Sequence, residues 1–194
     1  MAEGQMTKYK IVAIGGSAGS LDVILKIISA AALPVSLAYV IIIHRKNDPS
    51  SILTELLASR SPLAVKEVED KESITTGTIY IAPPDYHLLV EDYYSFSLDS
   101  SEKVHHSRPS IDVSFESIAS VFGPTAIGIL LSGANADGAE GLKKIRLAGG
   151  YTIAQDPKDA EVAYMPQQAI LADAQILIAG SDQLAGEIIR IVNS

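Results

Sequence analysis

The sequence predicts an α/β fold: a doubly wound, mostly parallel sheet of about seven strands, with an antiparallel hairpin and helices on both faces. Three observations carry that prediction. Short β-branched apolar runs alternate with stretches of helical periodicity. The apolar runs are continuous rather than alternating, as strands are when both faces of a sheet are covered. The 194 residues are 47% hydrophobic, enough for one full core, so residues 1–194 are expected to form one domain with its core at about 8–193.

"KIVAIG" is the first buried strand, and "LDVILKIISAAAL" then sets Leu21, Ile24, Leu25 and Ile28 on one helical face. "LAYVIIIHR" is a second buried strand, rich in β-branched residues. In "DPSSILTELLASR" the expectation is a helix with Asp48 as N-cap and Pro49 at its first position. "LAVKEVED" and "TIYIAPP" are short strands, and "HLLVEDYYSFSLD" is a hairpin, punctuated by Gly77 and the Pro83-Pro84 pair. "SIDVSFESIASVFG" returns to helix. "TAIGILLSG", "YTIAQD" and "QILIAG" are further strands, separated by the helices "DGAEGLKKIRLAGG" and "MPQQAILAD". "SDQLAGEIIRIVNS" closes as a helix with Ser181 as its expected cap.

The chain carries a formal net charge of −8 and no basic tract, which argues against binding through nucleic-acid phosphates. It has no cysteine, so disulfides and thiolate metal sites are excluded and a reducing, cytoplasmic setting is expected. No apolar run approaches the ~20 residues of a membrane helix, and "MAEGQMTK" has no signal-peptide core.

The stretch "IGGSAGSLD" sits between the first strand and the first helix. Its glycines, Gly15, Gly16 and Gly19, fit neither a dinucleotide fingerprint nor a P-loop, and no lysine follows Gly19. They do fit G-x-S-x-G, the nucleophile-elbow pattern, with Ser17 at its centre. A Gly-Gly-Ser entry into a helix has the same appearance, so the motif alone leaves both readings open. A serine nucleophile needs a base and an orienting acid at neighbouring strand ends. Among four histidines, His44 ends the second strand; His87 opens a hairpin strand and suits packing; His105 and His106 fall in a polar loop, with no partner at metal-ligand spacing. Asp137 follows a buried strand in "LLSGANADGAEG". With Glu140 it also makes a D-x-x-E capping box, its plain alternative. The order Ser, His, Asp differs from the Ser, Asp, His order of the α/β-hydrolases, so the same chemistry is expected on a different fold.

"IVAIGGSAGSLD", "VIIIHR", "GTIYIAPPDYHLLVE", "RPSIDVSFESIA", "GILLSGANADGAEGL", "YTIAQD" and "AYMPQQAI" resemble, in order, the catalytic domain of CheB-type chemotaxis protein-glutamate methylesterases over about residues 8–180. The resemblance implies a serine esterase that releases methanol from glutamate methyl esters on the cytoplasmic helices of methyl-accepting chemotaxis receptors. It also implies deamidation of receptor glutamines as a second activity. By motif position it implies Ser17 as nucleophile, His44 as base and Asp137 as orienting acid, with no metal or organic cofactor. Amides near Ala18 and Ala134 become candidate oxyanion donors. Ala134 stands where the family often has methionine, and Asn135 where it has glycine, so a wider pocket and an altered loop are expected. A non-catalytic binding module on the same fold is the alternative, and the intact Ser-His-Asp set argues against it.

Family enzymes usually carry a phosphorylatable receiver domain. None is among these residues, so the chain is a free-standing member or a fragment, and activity without phosphorylation is expected. Net charge alone further predicts mutual repulsion with glutamate-rich receptor helices, relieved by salt. A local basic patch around Arg45, Lys46 or Arg108 would reverse that dependence.

Overall fold

The structure is a computed structural model and describes residues 10–48, 52–92 and 94–194. Its elements follow the alternation of the sequence: β1 (Ile11–Gly16), α1 (Leu21–Ile28), β2 (Ala38–Ile43), α2 (Leu53–Arg60), β3 (Ala64–Glu67) and β4 (Thr78–Ile81). A hairpin, β5 (His87–Glu91) and β6 (Ser95–Asp99), interrupts before α3 (Ile111–Phe122). Then come β7 (Ala126–Leu130), α4 (Ala139–Leu147), β8 (Tyr151–Gln155), α5 (Tyr164–Ala172), β9 (Leu177–Ala179) and α6 (Leu184–Val192).

Seven strands make one sheet in the order β3-β4-β2-β1-β7-β8-β9, and every pairing in it is parallel. β5 and β6 pair antiparallel as a separate ribbon. All six residues of β1 and of β2 are buried, which accounts for their unbroken apolar character. Alternate residues face opposite layers. Ile11, Ala13, Val40 and Ile42 pack with α3, α4, α5 and the hairpin. Val12, Ile14, Tyr39 and Ile41 pack with α1, α2 and α6. The chain leaves β1 toward β2 on one side and returns to β7 on the other, so the carboxyl ends of β2, β1 and β7 meet at the switch point of the sheet.

Three local expectations change. α1 stops at Ile28, and the residues that follow turn back toward β2 rather than extending the helix to Leu33. α2 begins at Leu53 with Ile52 at its cap position, so Asp48 does not cap it. Pro49 lies outside the described residues. α6 begins at Leu184 after Gln183. Ser181 instead gives its amide to Asp159 Oδ2 (2.6 Å) and its hydroxyl to Asp159 Oδ1 (3.2 Å), anchoring the strand-end loop rather than the helix.

Gly15 explains how closely α3 approaches the sheet. A Cβ there would lie 2.4 Å from Ile111 Cγ2 and 3.1 Å from Phe115 Cζ. Gly15→Ala should therefore destabilise the protein by about 1–3 kcal/mol, read as a lower midpoint in chemical denaturation. An unchanged midpoint would mean that α3 retreats freely and that the close contact is not required.

Candidate active site

Ser17 directly follows β1. Its amide donates to Ser132 O (2.9 Å), continuing the β1–β7 ladder by one rung. Its carbonyl accepts from the Ser20 amide (3.1 Å) and the Ser20 hydroxyl (2.7 Å), which folds residues 17–20 into a tight turn before α1. Gly19 completes that turn at φ +75°, where a Cβ would also lie 2.5 Å from Glu161 Cβ. Buried Ser132 clasps the turn from the far side: its hydroxyl donates to Ala18 O (2.7 Å) and accepts from the Val162 amide (2.9 Å). Ser17 is half-buried and Ala18 exposed at the crest of this elbow. Among the described residues the Ala18 and Ala134 amides have no hydrogen-bond acceptor.

His44 stands one strand away. Its amide donates to Gly16 O (3.1 Å), so the sheet register itself sets it beside the elbow. Its Nε2 lies 2.7 Å from Asp137 Oδ2; the two side chains are 11% and 0% exposed. The Asp137 carboxylate accepts three further bonds: Ile111 amide to Oδ2 (2.7 Å), Asp112 amide to Oδ1 (3.0 Å) and Ser110 hydroxyl to Oδ1 (2.8 Å). Asp137 thus caps a helix, but that helix is α3, not the α4 that follows it. The D-x-x-E box does not form; Gly138 occupies the α4 cap position without a side-chain bond.

Burial pushes the Asp137 carboxyl upward. The bonds from His44, from the Asp112 and Ile111 amides and from Ser110 outweigh it, and hold the group below the ordinary carboxylate range. An ionised carboxylate only accepts, so the Nε2 proton belongs to His44 and its lone pair is at Nδ1. There the nearest partner is the Ser107 hydroxyl, 3.3 Å away. No hydrogen bond joins Ser17 to His44 in this resting arrangement among the described residues.

Asp112 answers Asp137 across the helix pair. Its Oδ1 accepts from the Gly141 amide in the first turn of α4 (2.7 Å), so each helix start is capped by an aspartate from the other. Burial is the largest influence on Asp112 and leaves its carboxyl above the ordinary range, with the neighbouring Asp137 charge adding to the rise. His105 Nε2 lies 3.2 Å from Asp112 Oδ2. His105, Asp112 and Asp137 therefore offer atoms within 4.8 Å of one another, a grouping that sequence spacing did not show, since it joins three separate loops and helix starts. Asp137 already accepts four bonds and Asp112 two, so the cluster is satisfied as a hydrogen-bond network.

His87 is buried and structural. Its Nε2 bonds Glu102 O (2.9 Å), and its Nδ1 accepts the Ser110 amide (3.1 Å), which steadies the residue that holds Asp137. His106 is exposed. Sequence reasoning about single residues missed Ser107, Ser110, Asp112 and Ser132. Of these, Ser110 and Asp112 lie inside the R-P-S-I-D-V motif and Ser132 inside "GILLSGANADGAEGL"; Ser107 carried no signal.

A hydroxyl, an imidazole and a carboxylate gathered at the carboxyl edge of a doubly wound sheet is the layout of a serine hydrolase. The chain belongs to the CheB methylesterase family, whose model matches residues 12–188. A Leptospira interrogans relative with the provisional name protein-glutamate methylesterase/protein-glutamine glutaminase is 39% identical, over 94% of this chain and 95% of its own. A protein-glutamate methylesterase/protein-glutamine glutaminase 2 of Syntrophus aciditrophicus is 36% identical over 96% of this chain, which spans about half (55%) of that relative's length. The crystal structure of the Thermotoga maritima CheB methylesterase catalytic domain superposes with a TM-score of 0.89 at 30% identity, covering 95% of this chain and 99% of that one. No helix among the described residues is long and apolar enough to cross a membrane.

The depressed Asp137 carboxyl ties stability to pH. Its folded-state value lies below the unfolded one, so its contribution is complete above about pH 4–5 and is lost as pH falls through the folded value. Asp137→Asn should lower the melting temperature most near neutrality, and the gap to the parent should narrow below about pH 4. A gap of constant size down to about pH 2 would show that the charge of Asp137 is not what holds α3.

Proposed function

We propose that this chain is a protein-glutamate methylesterase in which Ser17 is the nucleophile, His44 the base and Asp137 the orienting acid. Its substrates on this reading are glutamate methyl esters on the cytoplasmic helices of methyl-accepting chemotaxis receptors. The names of its relatives also support glutamine deamidation. The observation that carries the reading is the His44–Asp137 pair, buried and 2.7 Å apart, beside a Gly-x-Ser-x-Gly elbow at the sheet's switch point. The cysteine-free composition supports a reducing, cytoplasmic setting.

On this reading the Ser17 hydroxyl attacks the ester carbonyl while His44 Nδ1 takes its proton. The Ser107 hydroxyl, which faces Nδ1 at rest, turns aside for that contact. The Ala18 amide and the amides around Ala134 face the developing oxyanion. His44 then delivers the proton to methoxide, methanol leaves, and an acyl-serine remains. Water attacks next, deprotonated by the same nitrogen, and releases the glutamate carboxylate and Ser17. Asp137 stays ionised throughout, because its four bonds favour the anion, and it stabilises the imidazolium formed in each half-reaction.

Ser17→Ala and His44→Ala should each reduce ester hydrolysis by ~10³-fold or more, and the double variant should lose little beyond either, since such residues act as a unit. Methanol release from methylated receptor membranes measures this. Turnover by Ser17→Ala within about tenfold of the parent would overturn the assignment.

A further inference from the structure

A groove of about 510 Å³ opens beside His44 on the side away from Asp137. Its walls come from the end of β2 (Arg45, Lys46, Asn47), from Asp85 after β4, and from the segment before α3 (Lys103, His106, Ser107, Arg108). In a chain of net charge −8, this wall is the opposite in sign. Asp85 is its only carboxylate among the described residues, and that group accepts from Asn47 Nδ2 (2.9 Å).

The four cations of the wall are not equivalent. Arg45 is matched by Glu67, its ion-pair partner. Lys46 and Lys103 are exposed and have no carboxylate partner among the described residues. Arg108 Nη1 donates to the carbonyls of Ser100 and Ser101 (both 2.6 Å), which fix the guanidinium without neutralising it. Its Nε is buried and has no acceptor among the described residues. Two lysines without a carboxylate partner, and an arginine that feels only the Asp99 charge beyond ion-pair distance, thus line one open groove. Such an arrangement costs repulsion unless anions fill it.

We propose that this groove seats the carboxylates that flank the reacting ester in a glutamate-rich substrate segment, with Lys46, Lys103 and Arg108 as their partners. The inference rests on the esterase reading above. His44 itself forms part of the wall, so a chain lying in the groove runs past the base. A segment methylated on several glutamates presents a carboxylate wherever it is not esterified, and hydrolysis adds another. The rest of the acidic surface repels such a segment, which favours approach through the groove alone. Local charge therefore reverses the salt dependence expected from net charge.

The test compares the parent with Lys46→Glu/Lys103→Glu on a methylated receptor fragment and on a small neutral ester, each titrated with salt. Between about 20 and 200 mM salt, kcat/KM of the parent on the fragment should fall about tenfold. The double variant should be ~10-fold or more slower on the fragment at low salt and lose that slope, while neutral-ester turnover stays within about threefold for both. In parallel, Ser17→Ala protein is mixed with a labelled poly-glutamate peptide, its glutamine counterpart, and anionic phosphatidylserine vesicles. Only the glutamate peptide should bind, and the lysine reversals should abolish it. A fragment rate that rises with salt, equal losses on both substrates, equal binding of the two peptides, or capture of vesicles instead would each overturn the proposal. Absence of neutral-ester turnover by the parent would remove the esterase reading, and the peptide arm would still judge the groove.

Discussion

The bond set around one carboxylate organises this molecule. Asp137, in the loop between β7 and α4, reaches the first turn of α3 and accepts from two of its amides, from Ser110 and from His44. An anion at a helix start satisfies N–H groups that would otherwise be orphaned, and the helix dipole stabilises its charge in return. That compensation is why a fully buried carboxylate stays ionised here. The same bonds determine which ring nitrogen of His44 keeps its proton. Stability of the α3 start and the state of the candidate base are thus one interaction seen from two sides.

Close packing makes this reach possible. α3 lies so near the sheet that a Cβ at position 15 would press on Ile111 and Phe115, and Asp112 on α3 extends to cap α4 in turn. The two helix starts are cross-linked by aspartates exchanged between them. His87, buried at the start of the hairpin strand β5, holds the Ser110 amide and so braces the carboxylate from a third direction. The elbow is tied separately: Ser20 closes its turn, and Ser132 clasps Ala18. Serine and imidazole thereby belong to two independently braced units joined by the β1–β2 register, consistent with a contact between them that forms when substrate arrives.

Charge is distributed against the average. A net −8 describes solubility and long-range repulsion, while the groove beside His44 gathers Lys46, Lys103 and Arg108 from two distant segments. Screening over roughly 8–10 Å makes the local set decisive for anything already at the groove. Formal charge summed along a chain carries no information about such a grouping.

By itself, the sequence determined the parallel sheet, the hairpin, the places of Ser17 and His44 at strand ends and that of Asp137 in the loop after β7. Buried strands must be continuously apolar, and an elbow must carry glycines, so both leave marks in a local window. Helix starts were less legible. Asp48, Ser181 and Asp137 all have capping chemistry, yet Ile52 stands at the cap of α2, Ser181 bonds Asp159, and Asp137 caps a helix 25 residues upstream. Capping needs only a short acceptor near free amides, and the nearest amides in space need not be the nearest in sequence. Only the tertiary structure decided which amides Asp137 meets, that Ser107 stands at the free nitrogen of His44, and that cations from β2 and the pre-α3 segment share one wall. Each is a contact between segments far apart in the chain, set by the packing of α3 on the sheet, and no local pattern encodes it.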